Sequence, residues 1–135
     1  MAASDNVPEG LRYSSEHQWV RLEESGAVVG ATDYGQEQLG DLVYVDLAKP
    51  GSRVELSGAL GELESTKVLY EFHAPIAGEV VEVNPALDRN PELINSDPYG
   101  KGWLVSIRPS DRGEIDQLLD AAGYREHLRR EQGEA

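Results

Sequence analysis

The sequence predicts a mainly β fold, a sandwich or barrel with short helices at its edges. Short segments rich in branched and aromatic residues recur along the chain, and turn residues separate them at close intervals. One of them, DLVYVDL, alternates its side chains as a half-buried strand does. Helical patterns occur only beside these segments, near residues 32–40 and after residue 110. Many short strands with frequent turns are typical of all-β sandwiches and barrels.

The first elements are a hairpin and a short helix. The segments QWVRLEE and AVVGA flank Ser25-Gly26, which predicts two antiparallel strands joined by a tight turn. The next segment, TDYGQEQLG, predicts a short helix with Thr32 or Asp33 as its N-cap, since these side chains accept hydrogen bonds from free backbone N–H groups. Gly40 is expected to end it.

Strands dominate the middle of the chain. DLVYVDL places alternate residues on opposite faces, namely Val43, Val45 and Leu47 against Leu42, Tyr44 and Asp46. The turn residues Lys49-Pro50-Gly51 then end this strand. Further strands are expected at 54–56, 60–65, 68–73, 79–83 and 103–107.

The C-terminal part is predicted to be helical. Asp111 and Glu114 are spaced as a capping pair, and an apolar stripe follows them, formed by Ile115, Leu118, Leu119 and Ala122. Gly123 is expected to end this helix. The charged segment YREHLRREQGEA is expected to add one more helical turn before a loose tail.

Composition excludes several classes of protein. The 12 basic and 25 acidic residues give a formal net charge of −13, which makes a nucleic-acid or anionic membrane partner unfavourable. Cysteine is absent, so disulfides, thiolate metal sites and thiol nucleophiles are absent too, and redox chemistry needs a cofactor. The start, MAASDNVPEGLRY, has no targeting pattern, and no apolar stretch approaches the ~18 residues of a membrane span. We therefore expect a cytoplasmic protein.

No catalytic set is apparent in the sequence. His17, His73 and His127 match no short-range ligand spacing, which predicts no metal site and ordinary surface or packing roles. Three acidic residues fit a solvated strand face better than an acid-base pair, namely Glu62, Glu64 and Glu71. The pattern favours a protein that carries or binds something over an enzyme.

Lys67 is expected at or beside a reversal between two strands. A lysine at a hairpin tip presents its whole side chain to solvent, which suits covalent modification by another enzyme. An ordinary solubilising lysine would produce the same local pattern, so both interpretations stay open here.

The surroundings of this lysine carry a resemblance. Glu64 stands three residues before it and Gly78 eleven residues after it, with Ala74-Pro75 between. The spacing resembles the lipoyl and biotinyl carriers, in which a modified lysine lies on a hairpin of a flattened β-barrel sandwich, the barrel-sandwich hybrid. Biotin carriers place methionine on both sides of the lysine, whereas Thr66 and Val68 stand here, which favours lipoyl.

Six segments extend the resemblance to the H-protein family of the glycine cleavage system. In order they are LRYSSEHQWVRLEE, VGATDYGQEQLGDLVYVDL, GELESTK, APIAGEVVEVNPAL, PELINSDPYGKGWLVSI and LLDAAGYREHL. The length of 135 residues predicts one domain over residues 1–135. The resemblance implies a lipoyl-binding core at about 30–108 and a C-terminal helical segment at about 111–130.

The resemblance also implies a role for particular residues. Lys67 matches the lysine that carries lipoic acid as a lipoyl amide, and Glu64 and Gly78 match positions that support recognition by the lipoate ligase or lipoyltransferase. Such carriers are not enzymes themselves. They take an aminomethyl group from a glycine decarboxylase (P protein) to a folate-dependent aminomethyltransferase (T protein), and dihydrolipoamide dehydrogenase (L protein) reoxidises the dithiol. A carrier that enters several active sites is expected to be a monomer.

The family protects its loaded arm in a surface cleft, which maps onto Glu16, Gln18 and Glu71. Gln18 replaces the second glutamate of the usual EHEW, and Glu71 replaces an aspartate. Gly35 replaces the alanine of TDYAQ, which lowers helix propensity by up to ~1 kcal/mol. The segment KVLYEF is more apolar than the corresponding segment of the family, which usually contains serine and aspartate.

Two alternatives remain open on the sequence alone. The departures at Gln18 and in KVLYEF keep in view a lipoyl relay protein that passes lipoate to 2-oxoacid dehydrogenases. The other alternative is an unmodified β-rich interaction module in which Lys67 is merely exposed.

Overall fold

A computed structural model describes residues 6–133 of the chain. Most of its regular structure is antiparallel sheet, as the sequence predicts. Outside the described residues lie 1–5, which belong to the start that lacks a targeting pattern, and 134–135, which end the predicted tail.

The described residues form nine strands and five short helical segments. The strands are Arg12–Tyr13 (β1), Gln18–Glu23 (β2), Gly26–Ala31 (β3), Leu42–Leu47 (β4), Arg53–Val54 (β5), Ala59–Ser65 (β6), Leu69–His73 (β7), Gly78–Val83 (β8) and Val105–Pro109 (β9). The α-helices are Asp33–Leu39 (α1), Leu93–Ser96 (α2), Gly113–Asp116 (α3) and Ala121–Glu131 (α4), and a 3₁₀ helix covers Pro85–Asp88.

The strands form two sheets. The larger has the order β1-β2-β3-β9-β8-β5 and the smaller has the order β4-β6-β7. Both contribute to one apolar core, with Leu60, Leu63 and Phe72 from the smaller sheet and Val29, Val80 and Ile107 from the larger. The predicted β sandwich is therefore confirmed, although the two sheets do not close into a strict barrel.

The first predicted elements are confirmed. Strands β2 and β3 form the expected hairpin, with Glu23 opposite Gly26. Helix α1 is capped by Thr32, whose Oγ1 accepts from the N–H of Gly35 at 3.0 Å. It ends at Gly40, which has φ of 89° and donates its N–H to the carbonyl of Gln36.

The predicted alternation in β4 is wrong at the start of the strand. A register shift lies between Leu42 and Tyr44 in the pairing of β4 with β6. Such an irregularity interrupts the two-residue period. Val43 and Tyr44 are in consequence both exposed, at 51% and 58%.

The C-terminal helix differs from its prediction. The chain forms two helices, because Leu119 leaves the helical path to pair with Tyr13 through two backbone hydrogen bonds of 2.8 Å. Asp120 then caps α4 by accepting from the N–H of Gly123 at 2.8 Å. Gly123 thus lies in the first turn of α4 and does not end a helix.

Helix α4 is anchored to the first strands through a second apolar cluster. The rings of Tyr13 and Tyr124 stack with centroids 4.7 Å apart, and Trp19 and Leu128 belong to the same cluster. Most of the segment predicted as one turn and a tail therefore belongs to α4, a helix of three turns with a buried face.

Candidate functional site: the lysine hairpin

Lys67 lies in the turn between β6 and β7, at the predicted reversal. The N–H of Ser65 donates to the carbonyl of Val68 at 2.8 Å, which closes the turn. The buried Oγ of Ser65 accepts from the N–H groups of both Lys67 and Val68, each at 3.0 Å. One serine hydroxyl thus fixes the backbone that presents the lysine.

The loop after α1 supports this turn from one side. The N–H of Thr66 donates to the carbonyl of Asp41 at 3.0 Å. Asn95 holds the same loop, because its amide donates to the carbonyl of Gly40 at 2.9 Å and accepts from the N–H of Leu42 at 2.9 Å. The hairpin tip is therefore tied to the body of the protein.

The side chain of Lys67 is exposed, and its stem lies against Gly40. A Cβ at position 40 would stand 3.1 Å from the Lys67 Cε, so glycine leaves room for the stem. Among residues 6–133, no hydrogen bond or ion pair engages the Nζ. The amine is therefore accessible to an acylating enzyme.

Glu64 is close to the hairpin on an exposed part of the smaller sheet. It pairs with Tyr44 on one neighbouring strand and with Leu69 on the other. Tyr44 and Leu69 are 58% and 63% exposed. An exposed carboxylate flanked by two apolar side chains offers both charge and apolar area to a partner.

Gly78 lies in the other sheet and is buried. A Cβ there would overlap the carbonyl oxygen of Arg108 on β9 and would crowd Ile107. The position therefore demands glycine for close packing of β8 on β9. Lys67 and Gly78 are not brought together on one exposed surface.

His73 brings two of the predicted cleft residues together. Its Nδ1 is 3.1 Å from a carboxylate oxygen of Glu16, and its Nε2 is 3.8 Å from one of Glu71. The sequence assigned His73 an ordinary surface or packing role. The structure places this ring between the two carboxylates.

Gln18 is only 2% exposed, and protein partners engage both ends of its amide. The Oε1 accepts from the hydroxyl of Ser14 at 2.7 Å, and the Nε2 donates to the carbonyl of His73 at 2.5 Å. A glutamate here would have no proton to donate to that carbonyl. The departure from the family pattern thus has a local physical reason.

Two cavities flank these residues. The smaller, about 90 Å³, lies between α1 and β7, where Leu39, Tyr70 and Phe72 provide apolar walls and Glu16 a carboxylate. It is on the side of the lysine, because Leu39 directly precedes the Gly40 that supports the Lys67 stem.

The larger cavity, about 440 Å³, is lined by Gln18 and His73 and by residues of the C-terminal segment. Glu71 lines neither cavity.

Burial controls the ionisation of groups in the smaller cavity. It raises the pKa of the Tyr70 phenol, and the charge of Glu16 adds to this effect. Tyr70 is therefore neutral at physiological pH.

Gly35 also lines this cavity, and a Cβ there would stand 3.0 Å from the carbonyl oxygen of His17. The missing methyl group thus affects packing as well as helix propensity.

The sequence profile of the glycine cleavage H-protein family matches residues 11–131. The chain belongs to this family. A glycine cleavage system H protein from Bacteroides fragilis is 50% identical over 120 residues, covering 89% of this chain and 95% of the relative. One from Thermus thermophilus is 47% identical over 126 residues, covering 93% and 98%.

A solved structure gives the same result. The crystal structure of a glycine cleavage system H protein from Mycobacterium marinum matches with a TM-score of 0.81 at 35% identity, covering 94% of this chain and 99% of that one. The family predicted from the sequence is thus confirmed, and with it the general role of a lipoyl carrier in glycine cleavage. None of the helices in residues 6–133 is long and apolar enough to cross a membrane.

Sequence reasoning missed several supporting residues. Ser65 had a usable signal, because a serine beside a predicted turn often bonds the backbone two or three residues on. Asn95 and His73 had none, since their partners Gly40 and Glu16 are 55 and 57 residues away.

Proposed function

We propose that Lys67 is the lipoyl attachment site and that the chain acts as the aminomethyl carrier of its system. The observation that carries this proposal is the fixed hairpin tip, where Ser65 holds the backbone and the Lys67 amine has no described protein partner. Attachment joins the Nζ to the lipoyl carboxyl group as an amide with loss of water. The bound group, lipoic acid, supplies the redox disulfide that the cysteine-free polypeptide does not contain.

We infer that the modifying enzyme, a lipoate ligase or lipoyltransferase, contacts the exposed row formed by Tyr44, Glu64 and Leu69. Glu64 offers a charge three residues from the target lysine. Gly78 contributes indirectly, since it allows β8 to pack against β9 and so maintains the frame that carries the hairpin.

The smaller cavity is the proposed shelter of the loaded arm. Its walls are apolar, it lies on the lysine side of α1, and the carboxylate of Glu16 lines it. That carboxylate suits the ammonium of an aminomethyl group, and exclusion of water by the walls slows hydrolysis.

His73 would orient Glu16 and hold Glu71 nearby. Gln18 would hold the backbone of His73 through its hydrogen bond to the His73 carbonyl, and it would not contact the arm.

The carrier would meet three enzymes in turn. Glycine decarboxylase loads the arm, the aminomethyltransferase unloads it, and dihydrolipoamide dehydrogenase returns the dithiol to the disulfide. The chain's own part is to bind, present and shelter the arm as a monomeric domain, without catalytic side chains. The formal charge of −13 favours brief docking on basic surfaces around those active sites.

The test is the exchange of labelled bicarbonate into glycine by a glycine decarboxylase supplied with the lipoylated chain. Lys67→Arg is expected to abolish exchange. Lys49→Arg is the matched control, because Lys49 is also an exposed lysine beside a turn and should leave exchange unchanged. Exchange that survives Lys67→Arg would contradict the proposal.

A second candidate function is supported by the exposed apolar residues that flank Lys67 in the hairpin. Val68 and Leu69 are 44% and 63% exposed beside the lysine, which suits docking on an apolar surface of a different partner. A lipoyl relay to 2-oxoacid dehydrogenases would be modified at Lys67 but would give no glycine exchange. Transfer of its lipoyl group to a 2-oxoacid dehydrogenase acceptor domain would identify that role.

A further inference from the structure

Two histidines and a glutamate come together away from the lysine hairpin. His17 lies in the loop between β1 and β2, whereas His127 and Glu131 stand one turn apart on α4. One carboxylate oxygen of Glu131 is 2.9 Å from the His17 Nε2, and the other is 3.1 Å from the His127 Nε2. The three donor groups lie within 4.8 Å of one another. The spacing of His17 and His127 along the sequence had predicted no metal site.

We propose that His17, His127 and Glu131 form a binding site for one divalent transition-metal ion, with Zn²⁺ as the best match. Two imidazole nitrogens and one carboxylate are a donor set that Zn²⁺ accepts, with a further position left for water. Imidazole donors also disfavour Mg²⁺ and Ca²⁺, which prefer oxygen ligands.

The spacing of the donors is close to that of a metal centre. Ligand atoms at about 2.0–2.2 Å from one zinc ion lie roughly 3.3–3.6 Å apart in a tetrahedron. The two observed contacts of Glu131, 2.9 and 3.1 Å, are slightly shorter. The limit on all three donor atoms is wider, 4.8 Å, so binding an ion requires rotation of the His127 and Glu131 side chains, which are 31% and 40% exposed.

A supporting layer orients the least exposed ligand. The Nδ1 of His17 is 2.8 Å from the hydroxyl of Tyr124, which is itself 2.7 Å from the hydroxyl of Thr32. If His17 Nδ1–H donates to Tyr124 and Tyr124 donates to Thr32, the His17 Nε2 lone pair faces Glu131. Metal-binding histidines commonly have such a partner on the other ring nitrogen.

Occupancy of the site would join α4 to the loop that precedes β2. The backbone carbonyl of Ser15 is 3.0 Å from the His127 Nε2 and offers an oxygen on the same side. This loop also supplies Glu16 to both cavities. A bound ion is therefore expected to stabilise the wall of the cavity region as well as α4. Binding of the ion does not require a modified Lys67, although His17 also lines the smaller cavity.

The experiment is a calorimetric titration of the full chain with ZnCl₂, with any lipoyl group kept as the disulfide so that no dithiol competes. His127→Gln and Glu131→Gln remove single ligands from the half-exposed side of the cluster. His73→Gln is the matched control, because it removes a histidine that also pairs with a glutamate, Glu16, but lies outside the cluster. Circular dichroism verifies that each variant is folded.

The wild type is expected to bind one equivalent, with a Kd weakened about tenfold or more by each ligand variant and unchanged by His73→Gln. Should a variant fail to fold, Zn²⁺-dependent NMR shifts of the His17 and His127 rings in the wild type decide the question. Binding that is unsaturable, less than tenfold sensitive to both ligand variants, or without shifts in these two rings would overturn the proposal.

Discussion

The hydroxyl of Ser65 fixes the backbone N–H groups inside the lysine turn, so Ser65→Ala perturbs the presentation of Lys67 without altering the Lys67 side chain. The change removes the acceptor of two backbone N–H groups, those of Lys67 and Val68. Each such bond contributes about 0.5–1.5 kcal/mol net, which gives roughly 1–3 kcal/mol for the pair. Water reaches part of this turn, so the expected loss of unfolding free energy is about 1–2 kcal/mol.

The assay is urea unfolding together with the kinetics of lipoylation by a lipoate ligase. If the ligase must restore the turn, a cost of about 1–2 kcal/mol appears as a 5- to 30-fold loss of kcat/KM. Thr66→Ala is the matched control, because the Thr66 hydroxyl makes no hydrogen bond to any residue in the range 6–133. Equal unfolding free energies and equal kcat/KM for the two variants would refute the role assigned to Ser65.

Three further predictions concern groups that are buried or partly buried. Gln18→Glu loses the donation to the carbonyl of His73 and should lower stability by about 1–3 kcal/mol near pH 7 in thermal unfolding. Because burial raises the pKa of the introduced carboxyl, this penalty should shrink as pH falls; an equal penalty at acid pH would contradict the assignment. Gly78→Ala places a Cβ against the Arg108 carbonyl oxygen, so the unfolding free energy should fall by about 1–3 kcal/mol and the Tm should fall with it. An unchanged Tm would contradict the close packing of β8 on β9. Burial raises the pKa of Tyr99 from the ordinary 10.0 to about 12. The unfolding free energy should therefore fall as the pH rises between these two values. An ordinary pKa for Tyr99 in an ultraviolet titration would contradict this prediction.

Local signals were sufficient for the elements that begin and end within a few residues. The hairpin of β2 and β3, helix α1 with its Thr32 cap, and the Lys67 turn all follow from patterns of adjacent residues. The C-terminal helix did not, because the pairing of Leu119 with Tyr13 depends on a residue 106 positions away. Periodicity alone gives no sign that such a contact interrupts a helix.

The candidate site shows the same division. Lys67 and its flanking Glu64 stand on a hairpin that spacing predicts well. The pairing of His73 with Glu16 and the burial of Gln18 arise only when the chain brings β2 and β7 together. The family resemblance suggested a cleft at Glu16, Gln18 and Glu71, but the physical role of each group required the tertiary contacts.

Attachment of lipoic acid to Lys67 is tested most simply by mass analysis of the chain after co-expression with an active lipoate ligase in lipoate-fed cells. The chain has three lysines, at positions 49, 67 and 101, and all three are exposed, so exposure alone would not select among them. We predict one lipoyl group, confined to the peptide that contains Lys67 and absent from Lys67→Arg. A lipoyl group on Lys49 or Lys101, or an unmodified chain beside a fully modified control acceptor, would contradict it.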